Sequence, residues 1–246
     1  MTRLAVLADI HGNADALAAV LVDVLDQSPD AMVNLGDCFS GPLDAARTAH
    51  LLAGAEFTAT VRGNHDRWLA DPNAMDAWDK FAHPHLSADT LSWLATLPAN
   101  AVIDDAFLCH ATPHDDLSYW LEAYTPDGTA RRAPLDRITA RAKNIPQTLM
   151  LCGHTHVARA VRLADGRLVV NPGSVGCPGF TDHSAPSPRH VCAGTPYAAY
   201  AIVDRAGAHW TVTHRLVPYD TTPAVARARA AGFDDWVQAL ATGWIG

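Results

Sequence analysis

Apolar residues in this chain fall into two alternating patterns. Short unbroken runs, the mark of strands buried on both faces, occupy residues 3–8, 31–35 and 57–61. Between them apolar side chains recur at helical spacing. Leu17, Val20, Leu21 and Val24 follow a capping Asn13, and Ala45, Ala49 and Leu52 follow Pro42. Pro29-Asp30 and Gly54 end these two helices. The order strand, helix, strand, helix, strand predicts parallel strands joined by helical crossovers.

Further along, residues 68–97 have helical character broken at Pro72 and Pro84, and residues 102–103 and 107–109 read as short strands. Residues 117–143 are mixed, largely helical, with a turn at Pro126-Asp127-Gly128. An apolar run at 149–152 precedes a hairpin of 157–163 with 168–170 about Asp165-Gly166. Residues 177–196 are rich in Pro, Gly, Ser and His and are expected to form a long loop. A second hairpin, 197–203 with 210–217, and a helix over 224–240 complete the chain. There is no repeat and no linker, so 1–246 is expected to form a single α/β domain.

Composition narrows the function. Of 246 residues 49% are apolar and 18% charged, which suits a packed core. The net charge of -8, with no basic cluster, argues against stable binding to nucleic acid or to an anionic membrane, since both depend on neutralising phosphates. No segment approaches the length of a membrane span and none resembles a signal peptide. The cysteines are Cys38, Cys109, Cys152, Cys177 and Cys192; an odd count of scattered thiols suggests reduced cysteines in a cytoplasm.

The chemistry gathers where strands end. The first run closes on Asp9-Ile10-His11, the second on Gly36-Asp37, and the third on Gly63-Asn64-His65-Asp66. A later strand closes on Cys109-His110, and the run at 149–152 closes on Gly153-His154-Thr155-His156. In a parallel sheet the carboxyl ends of strands share one edge, where ligands bind. Any one of these residues alone is ordinary: an Asp caps a helix, an Asn holds a turn. Five successive strand ends carrying Asp, Asn or His are not. The donors mix oxygen (Asp9, Asp37, Asn64) with imidazole (His11, His110, His154, His156), which suits Mn, Fe, Zn or Co, with Mn favoured. Seven donors exceed one tetrahedral ion but suit two ions sharing a carboxylate, an arrangement that acts on phosphoryl groups.

This series closely resembles the calcineurin-like metallophosphoesterases, from Asp9 to Gly176. The resemblance implies a four-layer αββα sandwich, two facing mixed β-sheets with helices outside, and a dinuclear centre. It implies that Asp9, His11 and His156 hold one ion, that Asn64, His110 and His154 hold the other, and that Asp37 bridges them. Asn171-Pro172-Gly173-Ser174-Val175-Gly176 matches a block of the family's small bacterial members and is expected to pack behind the metals. The expected activity is hydrolysis of a small phosphodiester by a water bridging the ions, with a lowered pKa, attacking phosphorus in line. His65 is the expected general acid, since it adjoins a ligand and titrates ordinarily near 6.5. Asp66 either orients His65 or caps a helix beginning near Arg67, and the cap is favoured. Arg67 is a candidate contact to a substrate phosphate oxygen.

Gly36-Asp37-Cys38-Phe39-Ser40-Gly41-Pro42 departs from the Asp-Arg-Gly block shared by the family's protein phosphatases and dinucleoside tetraphosphatases. A phosphomonoesterase or nucleotide phosphatase on the same site is the alternative reading. A non-enzymatic scaffold would have lost ligands, and an amidohydrolase usually opens with His-x-His on its first strand. Specificity is expected from residues 68–97, 113–129 and 177–196, where Trp68, Trp78, Tyr119, Trp120 and Phe180 either line a pocket or pack in the core. The sequence leaves the oligomeric state open.

Overall fold

A computed structural model describes residues 3–183 and 188–245. Residues 1, 2 and 246 of the expected domain, and residues 184–187 of the expected long loop, lie outside the described residues.

In chain order the first half comprises β1 (Arg3–Leu7), α1 (Ala14–Gln27), β2 (Ala31–Asn34), α2 (Ala45–Gly54), β3 (Ala59–Thr60), α3 (Asn64–Leu69), α4 (Ala77–Ala82) and α5 (Ala88–Thr96). Then come β4 (Asn100–Ile103), β5 (Ala106–Cys109), β6 (Glu122–Tyr124), β7 (Ala130–Arg132), α6 (Leu135–Arg141), β8 (Leu149–Leu151), β9 (Arg159–Arg162) and β10 (Leu168–Asn171). The remainder is β11 (Gly179–Asp182), β12 (Arg189–Cys192), β13 (Ala198–Ala206), β14 (His209–Val217), α7 (Thr222–Ala230) and α8 (Asp234–Thr242).

The strands form two five-stranded mixed sheets, ordered β14-β13-β1-β2-β3 and β4-β5-β8-β10-β9. The predicted crossovers are present: β1, β2 and β3 are parallel, with Val6 opposite Val33 and Asn34 opposite Thr60. In the second sheet β5, β8 and β10 are parallel, with Leu108 opposite Leu151. Alternation along these strands explains the layering. Leu4, Val6, Val33 and Val61 of one sheet bury against Ala106, Leu108, Leu149 and Leu151 of the other. The opposite side chains, Ala5 and Leu7, pack on α1 through Leu17 and Val20, while Met150, Cys152 and Val169 pack on Ile138 of α6. The five chemistry-bearing strand ends therefore belong to two facing sheets, three to one and two to the other.

Several boundaries differ from expectation. Helix α2 begins at Ala45 rather than Pro42, because the Asp44 side chain accepts a hydrogen bond from the Arg47 N–H and sets the cap there. Helix α3 begins at Asn64 itself, on Gly63. Residues 117–143 are not largely helical: β6 and β7 form a hairpin about Pro126-Asp127-Gly128, and only α6 is a helix. The expected loop at 177–196 carries another hairpin, β11 with β12. The tail is two helices, α7 and α8, because Gly232 takes φ 78° between them.

Candidate metal centre

Each candidate donor stands just past a parallel strand, Asn64 as the first residue of α3 and the others on loops. Asp9 and His11 follow β1, Asp37 follows β2, Asn64 follows β3, His110 follows β5, and His154 and His156 follow β8. Five of these seven adopt left-handed backbone: Asp9 (φ 55°), His11 (φ 50°), Asp37 (φ 57°), His154 (φ 67°) and His156 (φ 56°). That conformation costs a non-glycine residue of order 1 kcal/mol or more and persists only where the surroundings impose it. Here the loops clamp one another. The Asp9 N–H donates to Gly36 O (3.0 Å), the His11 N–H to Asp37 O (3.0 Å) and the Gly153 N–H to His110 O (2.6 Å). Two glycines permit the approach. A Cβ on Gly63 would lie 2.1 Å from Asp37 Oδ1, and one on Gly153 would lie 2.9 Å from Asp9 Oδ2.

The imidazoles share one design. His11 Nδ1 faces Ser40 O (3.2 Å) and Ser40 Oγ (2.8 Å), His110 Nδ1 faces Leu35 O (2.7 Å), His154 Nε2 faces Leu117 O (2.9 Å), and His156 Nδ1 faces Cys177 O (2.8 Å). The ring nitrogen facing the carbonyl donates its N–H, so each ring turns its other nitrogen inward, the one a neutral ring would offer to a metal. The inward atoms converge. His156 Nε2 lies 3.1 Å from His11 Nε2 and 3.5 Å from Asp9 Oδ1. The Asn64 side-chain amide lies 3.1 Å from His110 Nε2 and 3.0 Å from His154 Nδ1. Asp37 Oδ2 stands between the groups, 3.2 Å from His110 Nε2 and 3.9 Å from His11 Nε2. The structure thus gathers Asp9, His11 and His156 into one trio that could hold a metal ion and Asp37, His110 and His154 into another.

The ionisation of the donors divides the same way. Burial pushes the Asp37 carboxyl up, but His110 foremost holds it well below the carboxylate range; Asp9 is likewise lowered by His156 against its burial. Burial opposes charge on His110, yet Asp37 lifts it to about 9, and Asp9 lifts His156 well above its ordinary value. Burial, then His156, push His11 down to about 3; burial, then His110, push His154 down to about 4. Each trio holds one positive charge among its donors, the position a cation would take over on binding neutral imidazole and carboxylate. The donor set fits two divalent ions.

The neighbours of the donors resolve what the sequence left open. Asp66 is a cap and more: its buried carboxylate accepts from the N–H groups of Gly63 (2.9 Å), Asp37 (2.8 Å) and Cys38 (2.9 Å). It does not orient His65. That role falls to Asp79, which sequence reading missed: His65 Nδ1 lies 3.0 Å from Asp79 Oδ1, and Asp79 is fully buried. The only local signal was Asp76-x-x-Asp79, which opens α4 as a capping box. Arg67 forms a bidentate pair with Asp116 (2.8 Å and 2.8 Å). Behind the donors, the Ser174 hydroxyl donates to Asp9 O (2.7 Å) and Asn171 Nδ2 donates to Gly153 O (2.7 Å), so the 171–176 block supports the ligand loops.

The centre opens into a cleft of about 870 Å³. Trp68, Trp78, Tyr119 and Phe180 line it, with Trp78 stacked on His65 at 5.5 Å. Trp120 instead is core, buried with its Nε1 donating to Ile138 O (3.1 Å). Glu122, Tyr124, Arg137, Arg141 and Arg189 also line the cleft, brought there by the two hairpins and α6 that the sequence reading did not resolve.

Comparison with known proteins agrees with this geometry. Residues 2–187 match the calcineurin-like phosphoesterase superfamily domain. The crystal structure of a metallophosphoesterase from Sphaerobacter thermophilus superposes with a TM-score of 0.74 at 25% identity, covering 98% of this chain and 99% of that one. An uncharacterized protein of Methanocaldococcus jannaschii is 25% identical over 191 residues, 72% of this chain and 77% of that protein. Two facing mixed sheets, the loops that end their strands, and a domain match over most of the length together establish that the chain belongs to the calcineurin-like phosphoesterase superfamily.

Proposed function

We propose that this chain is a phosphodiesterase, formed as one domain over 1–246, that works with two divalent transition-metal ions, manganese for preference. The observation that carries the reading is the shared design of the four imidazoles, each with one ring nitrogen tied to a carbonyl and the other turned toward Asp9, Asp37 or Asn64. In this reading Asp9, His11 and His156 would hold the first ion, Asn64, His110 and His154 would hold the second, and Asp37 would serve both. Such ions, when bound, supply Lewis acidity at the phosphoryl group and activate water.

The chain's own residues supply the rest. The oxygen of water bonds to phosphorus as the bond to the leaving oxygen breaks, the leaving oxygen takes a proton from His65, and the proton shed by the water passes to solvent, from which His65 is reprotonated. Nδ1 of His65 is engaged by Asp79, so Nε2 is the donating atom. Burial opposes the charge on His65, while Asp37 and the Asp79 hydrogen bond raise it to about 9 in the metal-free chain, and Asp79 supports the protonated ring whether or not metal is bound. A diester is favoured over a monoester by charge. The cations of the cleft stand on α6 and β12 rather than on the ligand loops, and Arg67 is closed on Asp116. A monoanionic diester needs no guanidinium there; a dianionic monoester gains from one. Arg67 keeps a substrate role only where an incoming phosphate draws it from Asp116.

The substrate is a small ester, since a net charge of -8 disfavours nucleic acid. Among the described residues no helix is long and apolar enough to cross a membrane. Five free thiols, four of them buried, support a reducing compartment, and we place the protein in the cytoplasm.

The test is hydrolysis of bis(p-nitrophenyl) phosphate beside p-nitrophenyl phosphate, with Mn²⁺ and with chelator. Chelator-sensitive turnover favouring the diester is expected, and turnover of the monoester alone would replace this reading by a phosphatase. His65→Ala is expected to lower the diester rate by about 10² or more with metal content unchanged; a full rate in that variant would remove His65 from the mechanism.

A further inference from the structure

The cleft extends past the metal centre along an aromatic and basic wall. The His154 ring lies 5.2 Å from Tyr119, and Tyr119 lies 5.3 Å from Tyr124. Arg189 covers both tyrosines, 5.7 Å from the first ring and 5.1 Å from the second. This face is held in place: the Tyr119 hydroxyl donates to Asp182 (2.7 Å), which also takes Arg189 Nη1 (3.3 Å). The two hairpins that carry it meet at a bridge between Thr129 and His190.

Beside this wall α6 presents Arg137 and Arg141, one turn apart, both lining the cleft. Arg137 Nη2 donates to the carbonyls of Tyr119 (2.9 Å) and Glu122 (3.3 Å), which fixes its guanidinium at the wall. Arg141 Nη1 is buried and, among the described residues, has no hydrogen-bond partner. Of the wall's carboxylates, Asp182 takes Tyr119 and Arg189, and Glu122 takes Arg159 on Oε1 at 2.8 Å while its Oε2 has no hydrogen-bond partner among the described residues. Burial, then the neighbouring Arg137, push Arg141 down from its ordinary value, and only Asp115 acts the other way.

Two like charges one helical turn apart destabilise the helix, and a buried guanidinium N–H without a partner costs more. Arg137 is satisfied by its two carbonyls, but Arg141 Nη1 has no such acceptor among the described residues, so its burial costs the fold stability. An anion supplies the missing acceptor, and phosphate suits a guanidinium fork. A planar ring suits the tyrosine face between that anion and the metals.

We propose that this wall is a subsite for a nucleotide-like arm of the diester, with the ring against Tyr119 and Tyr124 and a second phosphate on Arg141 and Arg137. The proposal rests on the diesterase reading above, and names the substrate class as small diesters whose one arm is a phosphorylated nucleoside.

The probes are p-nitrophenyl thymidine 5′-phosphate and the same ester bearing a 3′-phosphate, turned over by the Mn²⁺-loaded protein. The 3′-phosphate is expected to lower KM by about tenfold or more, the worth of one charge-assisted hydrogen bond, and Arg141→Ala is expected to abolish that difference between the esters. Arg141→Lys, which keeps the charge but loses the fork, is expected to restore part of it. Thymidine 3′,5′-bisphosphate, titrated by calorimetry against both proteins, is expected to bind Arg141→Ala about tenfold more weakly. Equal KM values for the two esters, or a difference that survives in Arg141→Ala, would overturn the subsite. Failure of either ester to turn over would count against the diesterase reading, and the bisphosphate titration would then decide the subsite alone.

Discussion

Asp66 illustrates how much one side chain carries at this site. Its carboxylate holds three buried N–H groups, one starting its own helix and two on the loop of Asp37. An unsatisfied buried donor costs about 1–3 kcal/mol, so Asp66→Ala is expected to lose about 3 kcal/mol or more. Urea denaturation with chelator present measures this apart from any metal effect; a loss under 1 kcal/mol would show the three bonds to be replaceable. Gly63→Ala acts on the same contact from the other side. Its methyl would meet Asp37 Oδ1 at 2.1 Å, so it is expected to lower bound metal as well as stability. The candidate donors were legible as residues, because each follows a strand and all but His110 have a glycine or a second candidate donor within two residues. Asp79 was not legible, since the contact to His65 joins residues 14 apart on separate helices and leaves only a capping pattern behind.

At the scale of elements, α1 is anchored on the first sheet through one carboxylate. Asp23 Oδ2 accepts from Tyr200 Oη (2.5 Å) on β13 and from Arg215 Nε (2.6 Å) on β14, while Oδ1 accepts from Arg215 Nη2 (2.8 Å). The hydrogen bond from Arg215 is the main cause that holds Asp23 below its usual 3.8. A carboxyl lowered on folding contributes stability that is fully present above 3.8 and is lost as pH falls through its folded value. Denaturation of Asp23→Asn against pH is therefore expected to show a deficit at neutral pH that closes as the pH falls below about 4. A deficit constant across that range would assign the effect to packing. Elements that bury a continuous apolar run, such as β1, β2 and β8, announced themselves in the sequence. The β6–β7 and β11–β12 hairpins did not. Their strands are three or four residues long and carry Glu, Arg, Asp and His, so pairing and packing rather than apolar periodicity place them.

At the scale of the molecule, the donors are fixed by loops from both sheets, so occupancy of the centre is coupled to the docking of one sheet on the other. A ligand that binds only the folded state adds about 2.7 kcal/mol at a hundredfold excess over its dissociation constant. For two ions, removal by chelator is expected to lower Tm by about 10 °C or more, and two equivalents of Mn²⁺ to restore it. A melting curve unmoved by either treatment would mean that the trios do not take up metal.

The sequence by itself determined the strand–helix alternation, the parallel order of β1, β2 and β3, and the set of donors at the strand ends. Those features are written in neighbouring residues: apolar runs, caps, glycines and the side chain that follows them. The family resemblance carried by those residues already implied two facing sheets and a shared Asp37; only the tertiary structure decided that the carbonyls of Ser40, Leu35, Leu117 and Cys177 aim the four imidazoles. It also decided that Asp79 rather than Asp66 holds His65, and that α6 brings two arginines to the cleft. The physical reason is range. A strand or a helix is chosen by contacts within a few residues, whereas a ligand field is assembled from side chains up to 147 positions apart, such as Asp9 and His156, whose meeting depends on how both sheets pack.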